Sequence, residues 1–407
     1  MSDRLHLWWL TRPREPVLVG ELNLIRATKG VSLKYAAHWL QHGSPLSEDL
    51  PLIDQEFLPS EKGLAAGAVD DARPDRWGEL VIRLIDKPPR LSLLEYLYFA
   101  GDDRFGALGV SSSAELYLPR RLGPLPTLTD ANRIHELVAK VRAREPVAPE
   151  QRRLISPGVT MGGARPKALL NIEGEQWVIK FADGDATDTP LIEHATMLLA
   201  QQANIRVANT IPVRLNHGHA VAIKRFDRRG DQRVHCLSAH VALRAAGERF
   251  GYPELAQLLR RRGVTARLEY LAQMHELFRR MVFNILIDNT DDHEKNHSML
   301  VTDAQQYELS PAYDVLPSGQ ALGFQQMRVG EFEADSTLVN ALSMHRQFQL
   351  DQDGAVAQVR VVAQVVNRWQ AHFRQCGVTR ADIAILAEQI DRPFLRNQRA
   401  EFLASSG

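Results

Sequence analysis

The chain is 407 residues long, 44% hydrophobic and 24% charged, and its 49 basic and 49 acidic side chains cancel, so it has length for more than one lobe and a large core but no global field to draw nucleic acid or an anionic membrane. Two cysteines, Cys236 and Cys376, exclude a disulfide framework and a four-thiolate zinc site. No stretch approaches membrane-spanning length, and the apolar residues at Leu5 to Leu10 break at Thr11-Arg12-Pro13-Arg14 without forming a signal peptide, so a folded protein of the reducing cytoplasm is expected.

The first region reads as a small mixed domain. Leu5 to Leu10, Val17 to Ile25 and Val31 to Ala36 are predicted strands, the second alternating as Val17, Val19, Glu21, Asn23 and Ile25. Two polar loops, Asp70 to Gly78 and Gly101 to Gly109, flank a predicted short helix at Leu91 to Ala100. Their opposite charges read as pairs that fix buried turns. Pro119, Gly123, Pro124 and Pro126 mark a linker, and a helix is predicted from Thr129-Asp130 onward.

The region from Pro157 to Arg228 alternates strands with one helix. A glycine-rich loop, Gly158 to Lys167, leads into a strand at Ala168 to Ile172; Trp177 to Phe181 is a strand with Lys180 inside it; Pro190 to Asn204 is helical; Ile211 to Leu215 and Ala220 to Phe226 are strands. Beyond Ser238 the pattern is largely helical. Leu271, Met274, Phe278, Met281 and Ile285 recur at helical spacing, as do Ala355, Val359, Val362, Val366, Trp369 and Phe373, and Thr379 with Asp382 resembles a capping box. The implied fold class is α+β. The domain expectations are a small N-terminal subdomain (1–118), a linker and connecting helix (119–150), a β-rich lobe (151–235) and a helical lobe (236–407).

The chemistry is concentrated between Asp288 and Asp314. Asp291 is followed five positions later by Asn296, and after a predicted hairpin (Ser298 to Val301, Tyr307 to Leu309) the segment ends on Asp314. Phosphoryl transfer needs such a set: a carboxylate to accept the proton of the attacking hydroxyl, and an amide and a second carboxylate to hold Mg²⁺ on the ATP phosphates. Asp291 is the predicted base, Asp292 the adjacent alternative, and Asn296 and Asp314 the metal ligands. His293 and Lys295 lie inside the loop, the first to orient and the second to offset phosphate charge. On the nucleotide side, the backbone of the glycine loop, with Thr160, Met161, Gly162 and Gly163, is suited to approach phosphates. A lysine within a strand either protects a sheet edge or binds the α and β phosphates. Glu193, on the following helix, is the candidate partner of Lys180, with Asp183, Asp185 and Asp188 as competitors.

These residues carry a family resemblance. Gly162 to Lys167, Lys180, Arg225-Phe226-Asp227-Arg228, Asp291-Asp292-His293-Glu294-Lys295-Asn296 and Leu309-Ser310-Pro311-Ala312-Tyr313-Asp314 resemble the motifs of HipA-type serine/threonine kinase toxins, and the likeness extends to the N-terminal stretch with Ser47 to Leu52 and the Asp71 to Gly78 loop. The resemblance implies a small N-terminal subdomain packed on a two-lobed kinase, with ATP and Mg²⁺ as cofactors. It implies an aminoacyl-tRNA synthetase substrate, of the glutamyl-tRNA synthetase class. A HipB-like helix-turn-helix antitoxin would be the partner, reaching operator DNA on the toxin's behalf. Backbone groups around Lys224, Arg225 and Phe226 would meet the adenine. The family's autophosphorylated serine falls at Thr160 here, so Thr160 and Ser156 are the candidates for modification. A small-molecule kinase and a non-catalytic scaffold are the competing readings.

Overall fold

The first strand shows how the N-terminal sheet is made. In the computed structural model, which describes residues 2–120, 123–158 and 163–404, β1 (Arg4–Trp9) turns Leu5 and Leu7 inward and Arg4 outward. A register shift between Leu7 and Trp8 then sends Trp8 to a separate cluster with Leu10 and Tyr117. β2 (Val17–Ile25), β3 (Gly30–Tyr35), β4 (Glu56–Phe57) and β5 (Leu108–Ser111) complete an antiparallel sheet in the order β4-β3-β2-β1-β5. Helix α1 (Ala37–His42) follows β3, and α2 (Arg76–Val81) is capped by Asp75, whose carboxylate accepts from the Gly78 amide. Helix α3 (Leu93–Phe99) starts on a Ser92/Glu95 capping box.

Helix α4 (Ala131–Arg142) does more than connect. Its Ile134, Leu137, Val138 and Val141 pack with Trp77, Val81 and Ile85 on one side and with Ala168, Leu170, Ile179 and Phe181 on the other. The last four belong to a second antiparallel sheet made of β6 (Lys167–Ile172), β7 (Glu175–Phe181), β8 (Thr210–Arg214) and β9 (His219–Lys224), ordered β6-β7-β9-β8. Helix α5 (Thr189–Gln202), capped by Asp188 with Pro190 in its first turn, lies against β8 and β9. A short ribbon, β10 (Arg228–Arg229) with β11 (Gln232–Arg233), leads to a three-stranded sheet of β12 (Cys236–Ser238), β13 (Ser298–Val301) and β14 (Tyr307–Leu309).

The rest is helical: α6 (Ala239–Ala245), α7 (Tyr252–Arg262), α8 (Glu269–Leu286), α9 (Leu338–Ser343), α10 (Gln352–Val366), α11 (Trp369–Gln375), α12 (Arg380–Ile390) and α13 (Pro393–Ala404). The apolar stripe predicted as one helix is two. All six of its residues are buried, but the helix stops at Val366, and restarting at Trp369 brings the indole N–H to the Asp391 carboxylate at 3.1 Å. Thr379 does cap α12, accepting from the Asp382 amide and donating to the Asp382 carboxylate. No helix among the described residues is long and apolar enough to cross a membrane.

Candidate active site

Lys180 sits on β7, which is hydrogen-bonded on both sides, by β6 and β9, so it is no edge lysine. Its side chain is buried, and its ammonium donates to Glu193 at 2.9 Å and to Asp314 at 2.6 Å. The competing carboxylates are engaged elsewhere: Asp183 with Arg142, Asp185 with Arg165, and Asp188 with His219 and the start of α5. Burial alone would lower the Lys180 pKa, but the two carboxylate charges outweigh it and raise it.

Asp314 is reached with a left-handed φ of 59°, at the end of the chain leaving β14. One carboxylate oxygen takes the Lys180 ammonium and the other accepts the Gly163 amide at 3.1 Å. Burial pushes this carboxyl up, but Lys180, with help from Lys167, holds it well below the ordinary range. Glu193 must share the same ammonium without a second donor, and burial leaves it raised. In a dry site holding two carboxylates and one ammonium, burial and the shared cation therefore shift the two carboxyls in opposite directions.

Helix α8 delivers the segment that carries Asp291. Met274, Phe278, Met281 and Ile285 bury its inner face, and Asp288 leaves it with a left-handed φ. Asp291 is exposed and lines a cleft of about 520 Å³ with His293, Lys295, Gly163, Asp71, Arg73, Arg76 and Tyr313. Burial raises its pKa, and the nearby Asp314 and Asp292 charges add to this against His293 and Arg165. Asp292 is the opposite case. It is buried, accepts from His297 Nε2 at 2.8 Å and from the Tyr252 hydroxyl, and so braces the loop from below. The two adjacent aspartates that were indistinguishable in the sequence thus occupy different environments. Asn296 is buried and its amide oxygen has no hydrogen-bond partner among the described residues. That orphaned oxygen and the Asp314 carboxylate are each hard oxygen donors of the kind Mg²⁺ takes.

The strand end that would meet the adenine is more constrained. The Lys224 and Arg225 amides donate to Asn209 and Gln176, and the Lys224 side chain lies 3.4 Å from Glu175. The Arg225 guanidinium is committed to Asp227 and to the carbonyls of Asp103 and Arg104, which locks this turn onto the N-terminal region. Any role for Arg225 at a nucleotide therefore falls to its backbone. Phe226 meets Phe105 edge-on and Tyr313 at a tilt, and those two rings line the cleft. Ser156 is half-buried just before Pro157, and Thr160, Met161 and Gly162 lie outside the described residues. Sequence reasoning did not find Asp71 and Asp75 as neighbours of this cleft. Lys167 is fully buried, which an alternating apolar pattern does not reveal.

A strand lysine paired to a helix carboxylate, meeting a second carboxylate delivered by a helical lobe, defines a kinase-like architecture. The HipA-like C-terminal domain matches residues 159–373, more than half of the chain, and the protein belongs to that family. It is similar, at 24% identity over 76% of this chain and 75% of the other, to the serine/threonine-protein kinase toxin HipA of Shewanella oneidensis. A putative kinase of Sinorhizobium fredii, Y4dM, is 31% identical over 35% of this chain and 37% of its own. The fold is shared with the Shewanella oneidensis HipA structure solved with HipB and operator DNA, with a TM-score of 0.66 at 18% identity, covering 98% of this chain and 97% of that one.

Proposed function

We propose that this protein is an ATP- and Mg²⁺-dependent serine/threonine protein kinase acting as a toxin. The observation that carries the reading is the convergence of Glu193 and Asp314 on the Lys180 ammonium, with Asp314 also bonded to the amide of Gly163, a residue that lines the same cleft as Asp291. In this reading Lys180 binds the α and β phosphates and Glu193 holds it in place. The Gly163 amide approaches the phosphates from above. Asn296 and Asp314 hold the metal, which neutralises phosphate charge when bound. Asp291 accepts the proton of the acceptor hydroxyl as its oxygen bonds the γ-phosphorus and ADP leaves, a role that a raised carboxyl pKa favours. Lys295 and His293 stand beside the transferring group.

The likeness to a HipA structure solved with HipB and operator DNA supports a HipB-like antitoxin as the neutralising partner, through which DNA is reached; an aminoacyl-tRNA synthetase, of the glutamyl-tRNA synthetase class, is the substrate that the motif resemblance implies. Self-modification in the glycine-rich segment, at Thr160 or Ser156, would add negative charge where ATP phosphates must sit and so switch the enzyme off. The test is incubation with labelled ATP and Mg²⁺, alone and with purified synthetases. Phosphate incorporation that disappears in both Asp291→Ala and Asp314→Ala is expected, and incorporation retained in both would reject the assignment.

A further inference from the structure

The loop from Asp71 to Gly78, with its Asp-Ala-Arg-Pro-Asp-Arg-Trp-Gly run, belongs to the N-terminal region, yet its bonds go to both sides of the cleft. On the acceptor side, both oxygens of Asp71 bind Ser238: one accepts the amide and the other the hydroxyl, each at 2.6 Å. Ser238 caps α6, accepting from Val241, and pairs across the sheet with Ser298. Two residues on, His240 holds Glu294 of the catalytic loop at 2.6 Å, while Ser298 bonds the Tyr313 hydroxyl, which also donates to the Lys295 carbonyl. Asp71 therefore braces the loop carrying Asp291 through two short paths.

On the nucleotide side the same loop grips both ends of the glycine-rich segment. At the far end, the Lys167 ammonium donates to Asp75 and to the Gly163 carbonyl, and the Trp77 indole N–H donates to the Lys167 carbonyl at 2.8 Å. Gly163 in turn is the residue whose amide reaches Asp314. At the near end, a β-carbon added to Gly78 would stand 2.0 Å from the Pro157 carbonyl oxygen, and one added to Gly158 would stand 2.4 Å from the Ala100 carbonyl oxygen. Only backbone-to-backbone contact fits there.

Resting on the phosphoryl-transfer reading above, we propose that Asp75 and Asp71 are positioning residues for the reaction. Asp75, through Lys167, sets where Gly163 sits against Asp314, and Asp71, through Ser238, sets the loop that carries Asp291. The N-terminal region is then part of the catalytic apparatus without contributing a group that touches substrate. The two residues act on different ligands, which a purely structural role would not produce.

The experiment uses the full chain and the fluorescent nucleotide TNP-ATP with Mg²⁺, read by titration, alongside steady-state phosphorylation and a thermal melt. Asp75→Asn is expected to weaken TNP-ATP binding and raise the KM for ATP by about ten- to a hundredfold, with kcat changed less. Asp71→Asn is expected to lower kcat by a similar factor with TNP-ATP affinity unchanged. Asp75→Asn removes a carboxylate that meets the buried Lys167 ammonium, so the paired variant Asp75→Asn with Lys167→Met is measured beside it; it is expected to show the same loss of nucleotide affinity with the melting temperature restored. Nucleotide affinity within twofold of wild type in both Asp75 variants overturns the proposal, as does an equal fall of affinity and kcat in Asp71→Asn. No TNP-ATP binding by the wild-type protein would instead remove the kinase reading and this inference together.

Discussion

The two sides of the cleft meet the cost of charge differently. On the nucleotide side, Lys180 and Glu193 have side chains only 2% exposed and Asp314 is 11% exposed, so each charge is placed by the partner it cannot do without. On the other side, Asp291 and Lys295 are exposed and carry no such pairing among the described residues; their place is set by the backbone beneath them, where buried Asp292 is held by Tyr252 and His297. The difference teaches that the dry side couples activity to stability, whereas the wet side separates them.

Four measurements sharpen or break that comparison. The largest expected effect is on the wet side. Asp291→Asn should cut phosphate incorporation by about 10²- to 10⁴-fold and leave unfolding stability within about 0.5 kcal/mol of wild type; a large loss of stability would mean that Asp291 is not the solvent-facing group described here. On the dry side, Lys180→Met should abolish incorporation and also lower stability by about 3–5 kcal/mol, because Glu193 and Asp314 are left buried without their cation. Urea titration checks it, and an unchanged midpoint would contradict the buried pairing.

His235 tests dryness without a counter-ion. It is buried, its Nε2 faces the Leu46 carbonyl, and burial lowers its pKa from 6.5 to about 4. The folded state thus binds fewer protons than the unfolded chain between those values. Stability is full above pH 6.5 and falls as pH drops toward 4, by roughly 3 kcal/mol at most. In His235→Gln that slope should flatten, and an unchanged slope would assign it to other groups. The smallest effect is expected from Asp292→Asn, at about 1–3 kcal/mol of stability from a weakened buried network, with kcat falling less than in Asp291→Asn. A fall as large as that of Asp291→Asn would reverse the roles of the two aspartates.

Much of the plan was legible in the chain. The strands of the second sheet were found within a residue or two, because apolar runs bounded by turn residues have few other ways to be buried. Lys180 stood out because a strand interior does not normally hold a cation, and Glu193 because the next helix begins close by. Three things were not legible. The break at Val366 is invisible in a continuous apolar stripe, because periodicity records burial and not the helix axis. The contrast between Asp291 and Asp292 needs Tyr252 and His297, one of them 40 positions away. The ties from Asp75 to Lys167 and from Asp71 to Ser238 span 92 and 167 positions, and a turn read as closing on its own charge pairs gives no hint of them.

By itself, then, the order of residues determined which elements form, that they are of both kinds, and which side chains have the chemistry for phosphoryl transfer. Local periodicity and residue type are enough for that, since each is a property of neighbours in the chain. Tertiary structure alone decided which carboxylate shares the Lys180 ammonium, which of two adjacent aspartates faces solvent, and that a loop of the N-terminal region braces both sides of the cleft. Those outcomes depend on burial and on distance between remote segments, and a charge acquires its partner and its pKa only when folding removes the water around it.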